Sequence, residues 1–212
     1  MSAYEVIRLA KGLIHGLRFM HETLCIVHGD IKPENIIVAA RPAAFQLIDF
    51  GSAWTRFCGK AREEGDGFSV CFGAPEMHGG GTIDHRSDQF SLGVILYLLL
   101  ANKLPFEGVP VHELSKSDLA KSWSPPCNHS EDLRKIPQLL RDKIDAFVLS
   151  MLQARSEDRF EMTSKVVTKL ESIFDDFRPA AYPSEKILKR NRWTSWMPSN
   201  LKTLLIDWLD RP

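Results

Sequence analysis

The stretch His28-Gly29-Asp30-Ile31-Lys32-Pro33-Glu34-Asn35 lies between two short β-rich runs, Cys25-Ile26-Val27 and Ile36-Ile37-Val38. A third run, Phe45-Gln46-Leu47-Ile48, leads directly into Asp49-Phe50-Gly51. The last two runs flank the turn residues Ala40 to Pro42, which is the pattern of a small β-hairpin. Both polar stretches therefore fall at strand ends. A single Asp or Asn there commonly does no more than cap a turn, and Asp-Phe-Gly alone is compatible with a turn beside a buried Phe.

Outward from this centre the chain reads as mostly helical. Ser2 and Glu5 form an S-x-x-E capping box, and Val6, Leu9, Leu13, Leu17 and Met20 follow at helical spacing, which predicts a helix of about five turns. From Gly51 to Gly81 the residues are Gly-rich, polar and charged with little periodicity, as in a long irregular loop, and loops of that length are commonly functional or disordered. Ser87 to Ala101 is apolar on nearly every face, which implies a buried central helix. Amphipathic helices are expected around Val111 to Lys121, Gln138 to Leu152 and Thr163 to Phe174, with Pro125-Pro126 in a connecting loop.

A chain of 212 residues with 44% apolar content can bury one substantial core. Its 27 Lys plus Arg balance 27 Asp plus Glu, so no global field exists to recruit nucleic acid or an anionic surface. The longest apolar run, Leu92 to Ala101, is about half of what a membrane span needs, and Met1 leads into no basic-then-apolar signal segment. An intracellular protein is expected, cytoplasmic first and nuclear second. Cys25, Cys58, Cys71 and Cys127 form no C-x-x-C pair, so free thiols are expected rather than a zinc site or a disulfide framework.

In order and spacing, the motifs resemble the C-terminal lobe of the eukaryotic-type protein kinase family, serine/threonine type, from about Ser2 to Phe177. His28 to Asn35 corresponds to the catalytic loop and Asp49-Phe50-Gly51 to the magnesium motif. Ala74-Pro75-Glu76 closes the activation segment, and Asp88-Gln89-Phe90-Ser91-Leu92-Gly93 opens the central buried helix. Arg159 stands where the family places the arginine that pairs with the Glu of A-P-E. The resemblance implies a mainly α (α+β) fold, a kinase-like C-lobe over residues 1–178 whose short β-hairpin carries the motifs, and a C-terminal extension over 179–212. It further implies ATP and Mg2+ as cofactors and a protein substrate phosphorylated on Ser or Thr.

The roles implied for individual residues follow from the chemistry. A phosphoryl group in flight spreads charge over its oxygens, so metal ligands are needed on one side and a group orienting the nucleophile on the other. Magnesium takes hard oxygens and keeps several waters, for which Asn35 and Asp49 are adequate donors. Asp30 would accept the hydroxyl proton, and Lys32 would balance the γ-phosphate. Ser69 falls where such kinases place a hydroxyl tying Lys32 and Asp30 together. His28 is expected to pack beneath the magnesium motif in a structural role, Asp88 to belong to the supporting helix, and Glu76 with Arg159 to form a buried ion pair.

Two departures stand out. Gly29 replaces the arginine that in this family receives an activation-segment phosphate, and Arg62-Glu63-Glu64-Gly65-Asp66-Gly67 offers no hydroxyl where that phosphate would sit. No G-x-G-x-x-G between strands and no strand-borne lysine of V-A-I-K type occurs; both belong to the family's N-terminal lobe. Gly79-Gly80-Gly81 and Lys11 are no substitutes. An adenine ring without that lobe forgoes about 4 to 6 kcal/mol of burial, roughly a thousandfold in affinity. The expectation is a truncated kinase, a half that meets an N-lobe or regulatory chain in trans, or a kinase-like scaffold that binds protein through the Gly51 to Gly81 loop or its C-terminal helix. In the extension, Lys186 to Trp193 is a basic stretch, and Ser199 could cap a helix with Leu201, Leu204, Leu205, Trp208 and Leu209 on one side.

Overall fold

A computed structural model describes residues 3–39, 44–55, 71–78, 81–106, 111 and 123–177. The expected capping Ser2, the Ala40 to Pro42 turn, Cys58, Ser69, nearly all of the Val111 to Lys121 helix and the 179–212 extension lie outside the described residues.

Helix α1 spans Ala3–Arg18 and continues without a break into a π-helical turn, Phe19–Thr23. Strand β1, Ile26–Val27, is followed by the polar loop and a 3-10 turn, Pro33–Asn35, then by β2, Ile36–Ala39, and β3, Ala44–Leu47. The hairpin is antiparallel with Ile36 opposite Leu47 and Ile37 opposite Gln46. A second ladder, unanticipated from the sequence, pairs β1 antiparallel with β4, Trp54–Thr55, setting Ile26 opposite Thr55 and Val27 opposite Trp54. The expected Gly51 to Gly81 loop therefore contains a strand. It also contains a short helix, α2, Pro75–His78, which four residues with a leading proline do not reveal by periodicity.

Helix α3, His85–Ala101, begins two residues before the expected Ser87, because the Asp84 side chain caps it by accepting from Arg86 N. Every residue from Ser87 to Ala101 is buried. Gly93 is what allows α5, Gln138–Met151, to approach closely: a Cβ there would lie 2.9 Å from Met151 Cβ. The helix ends where Asn102 turns left-handed at φ 58 and returns its N–H to Leu98 O. Between α3 and α5 a 3-10 turn, Pro126–Asn128, and a short helix α4, Glu131–Arg134, occupy what reads as plain loop.

Helix α6, Thr163–Phe177, lies antiparallel against α1. Tyr4 stacks on Phe174 near one end, with ring centroids 5.4 Å apart, and Glu22 accepts from Ser164 N at the other. Midway, Lys11 Nζ sits 4.8 Å over the Phe174 ring and His15 meets Glu171 at 3.2 Å. The predominantly helical, hairpin-bearing architecture is that of a kinase-like C-lobe. Among the described residues no helix is long and apolar enough to cross a membrane.

Candidate active site

The loop that carries Asp30 is held from below by one buried carboxylate. Asp88, fully buried on α3, accepts His28 N at 2.8 Å, Gly29 N at 2.9 Å and His21 Nε2 at 2.8 Å. Burial pushes the Asp88 carboxyl upward, but the bond and charge of His21 and the two main-chain N–H groups overcome it, and the group is held below its ordinary value. Gly29 has φ 74, a backbone that costs glycine nothing and any residue with a Cβ about 1 to 2 kcal/mol. Its presence lets two consecutive N–H groups converge on the same carboxylate.

His28 ties the two motifs together. Its ring is fully buried; Nε2 donates to Ile48 O at 3.1 Å, and Nδ1 accepts from Asp30 N at 3.4 Å. The ring lies against Phe50, with centroids 5.0 Å apart, directly beneath the Asp49-Phe50-Gly51 turn.

Asp30 is nearly buried, and Lys32 Nζ stands 2.6 Å from its Oδ2. The turn Pro33–Asn35 folds the chain back so that Asn35 Nδ2 donates to Asp30 O at 2.8 Å and to Asp30 Oδ2 at 3.2 Å. Both bonds use the amide nitrogen, so the carbonyl Oδ1 is the atom of Asn35 suited to a hard cation. Asn35 O also accepts from Ile48 N at 2.9 Å, which extends the hairpin ladder by one step and brings Asn35 and Asp49 out at the same end. Asp49 is exposed and left-handed, with φ 61, and its Oδ1 accepts from Gly51 N at 3.3 Å. A Cβ on Gly51 would stand 3.1 Å from that oxygen, so glycine keeps the approach open. One carboxylate and one amide carbonyl suit Mg2+, which fills its remaining positions with water and substrate phosphate. Among the described residues there is no cluster of three or more His, Cys, Asp or Glu side chains of the kind a protein-enclosed metal would need.

Glu76 and Arg159 meet as a bidentate pair: Nη1 to Oε1 at 2.7 Å and Nη2 to Oε2 at 2.9 Å. All five guanidinium N–H groups are used, because Nε donates to Gln153 O, Nη1 also to Arg86 O, and Nη2 also to Ala154 O. The guanidinium carbon lies 4.8 Å over the Phe90 ring. Burial raises the Glu76 carboxyl, yet the bond and charge of Arg159, with a bond from Ser87, leave it below its usual value.

Two supporting residues were not singled out by sequence reasoning. His21 bridges Asp88 and Thr163, reaching Thr163 Oγ1 at 2.8 Å through Nδ1, so it joins α3 to the first residue of α6. The only hint in the sequence is a polar ring beside Met20 on the apolar stripe. Ser87 is the other, and its contact to Glu76 spans segments that carry no shared periodicity.

Fold and site together define a protein kinase C-lobe, and comparison with known proteins agrees. The family described as "Protein kinase domain" matches residues 1–170, and the chain belongs to that family. The chain is 28% identical over 180 residues to the serine/threonine-protein kinase pkn3 of Myxococcus xanthus, covering 80% of this chain and 31% of the relative. It is 27% identical over 204 residues to the serine/threonine-protein kinase PknB of Mycobacterium tuberculosis, covering 94% of this chain and 30% of that protein. A mouse relative, ribosomal protein S6 kinase alpha-4, is 37% identical over 110 residues, half of this chain and 14% of its own length. The chain thus spans about a third or less of these curated relatives.

Proposed function

We propose that residues 1–178 form the C-lobe of a kinase that transfers the γ-phosphoryl group of ATP to Ser or Thr hydroxyls of a protein substrate. The observation that carries the reading is the pinned triangle of Asp30, Lys32 and Asn35, whose Asn35 leaves the hairpin beside Asp49. Bound ATP and Mg2+ would supply the electrophilic phosphoryl group and the divalent charge. Asp30, fixed through its carbonyl and one carboxylate oxygen by Asn35, would take the hydroxyl proton as the substrate oxygen bonds to the γ-phosphorus and the bond from that phosphorus to the departing ADP oxygen breaks. Lys32 places a cation beside that carboxylate, where negative charge accumulates. Asn35 Oδ1 and the Asp49 carboxylate would hold the metal. The glycine-rich loop and strand-borne lysine of a nucleotide-covering lobe would come from a longer form of this polypeptide or from a second chain.

Gly29 gives this kinase no guanidinium next to Asp30, and so activity does not depend on activation-segment phosphate. A sharp rise in turnover after phosphate is installed at Ser52, Thr55 or Ser69 would contradict this.

The test is a titration with ATP and Mg2+ coupled to turnover on Ser, Thr and Tyr peptides. Saturable binding with transfer to Ser or Thr is expected, and Asp30→Asn should cut kcat by roughly a hundredfold or more with nucleotide binding retained. Absence of binding at millimolar ATP, with an N-lobe supplied, would replace the enzyme with a protein-binding scaffold.

A further inference from the structure

The first turn of α3 grips two segments at once. Asp88 takes the main chain in front of Asp30, as described above. Its neighbour Ser87, fully buried, donates from Oγ to Glu76 Oε1 at 2.7 Å, the same oxygen that receives Arg159 Nη1. Adjacent residues on a helix point about 100° apart, so Ser87 and Asp88 can each reach a different segment from one rigid turn. Glu76 belongs to α2, whose Met77 N donates to Ala74 O at 2.9 Å, and Gly81 N closes back on Glu76 O at 3.1 Å. Arg159 reaches Glu76 from the loop before α6 and touches α3 through Arg86 O and the Phe90 ring, whereas Ser87 bonds Glu76 directly from the turn that carries Asp88.

We infer that Ser87 is a positioning residue: its hydroxyl fixes the 74–78 segment relative to the loop bearing Asp30, and so sets how a protein substrate lies against the catalytic base. This rests on the kinase reading for its functional half and on the α3 geometry alone for its structural half. Ser87→Ala deletes the hydroxyl and leaves the Glu76–Arg159 pair intact, so the protein remains folded. Ser87→Thr retains a hydroxyl at the same position.

Hydrogen exchange on the full chain measures the structural half. The amides of Met77 and Gly81 should exchange roughly tenfold faster or more in Ser87→Ala, the loss expected for one hydrogen bond to a carboxylate. The Phe147 amide on α5 should not change, and Ser87→Thr should restore protection. With the covering lobe supplied, peptide KM should rise several-fold in Ser87→Ala while kcat moves little. Unchanged exchange at Met77 and Gly81, equal acceleration at Phe147, or identical behaviour of the Ala and Thr variants would each overturn the inference. If no phosphoryl transfer is found in any variant, the kinase reading fails while the exchange result still decides whether Ser87 tethers the segment.

Discussion

Replacing Arg159 by Met should unfold this lobe at markedly lower denaturant, because the substitution keeps bulk and removes every charge-assisted bond the side chain makes. Glu76 would be left with Ser87 Oγ as its remaining side-chain donor, at 12% side-chain exposure against 0% for Arg159 in the intact pair. Breaking a buried pair from one side costs about 3 to 5 kcal/mol. The carbonyls of Gln153, Ala154 and Arg86 lose their donor as well, which pushes the cost toward the upper end. Against a total stability of about 5 to 15 kcal/mol this is a large fraction. With a urea m-value of about 2 kcal/mol per molar, a loss of about 4 kcal/mol lowers the midpoint by about 2 M. The paired variant Glu76→Leu with Arg159→Met should lose less than the sum of the two single changes, since neither charge is then stranded.

The pH dependence supplies an internal check. The folded Glu76 carboxyl titrates below its ordinary value, so its share of stability is present above the unfolded value and disappears as pH falls through the folded one. The difference between wild type and Arg159→Met should therefore shrink in acid. A midpoint shift under about 0.5 M at neutral pH, or a difference that grows in acid, would refute the reasoning.

Gly93→Ala should cost about 1 to 3 kcal/mol by urea unfolding, since a Cβ would press on Met151 Cβ at 2.9 Å and Leu152 Cδ2 at 3.1 Å, between two packed helices. Asp88→Asn should cost about 2 kcal/mol or more and lower the thermal midpoint at pH 7, because the amide can no longer accept from His21, His28 and Gly29 together. Asp145 behaves in the opposite sense to the paired carboxylates. Burial raises its carboxyl despite bonds from Cys127, so the folded state holds the proton longer and stability falls as pH rises through the interval above the ordinary value. Asp145→Asn keeps an oxygen for Cys127 N, and its Tm gain over wild type should be larger at pH 7 than at pH 3.5. A gain independent of pH would count against this account.

How much of this was legible depended on whether a feature is local. The stripe from Val6 to Met20 and the all-apolar face of α3 announce their helices because burial recurs at short intervals along one segment. The β2–β3 hairpin was legible because two short β-rich runs flank turn residues close in sequence. Strand β4 was not: two residues, Trp54 and Thr55, carry no alternation, and they become a strand only because Ile26 and Val27 present an open edge. Likewise α2 is one turn, stabilised by Arg159 and Ser87 from elsewhere in the chain. The apolar run at Ser87 understated α3, since its first turn is set by the Asp84 cap and not by burial periodicity.

The site divides along the same line. The types and order of Asp30, Lys32, Asn35 and Asp49 are written in the sequence, and they make up the carboxylate, cation and hard oxygens that the proposed proton transfer and magnesium binding would call for. Which atoms face which was decided by tertiary structure. Asn35 turns its amide nitrogen onto Asp30, and His28 spans from Asp30 N to Ile48 O. Asp88 gathers His21, His28 and Gly29 around one carboxylate, a convergence across some sixty residues of chain. Sequence determined the local chemistry of this protein, since propensity and residue type act over a few positions. The hydrogen bonds that aim that chemistry exist only once distant segments share a dry interior, where an unpaired polar group is costly and each must find its partner.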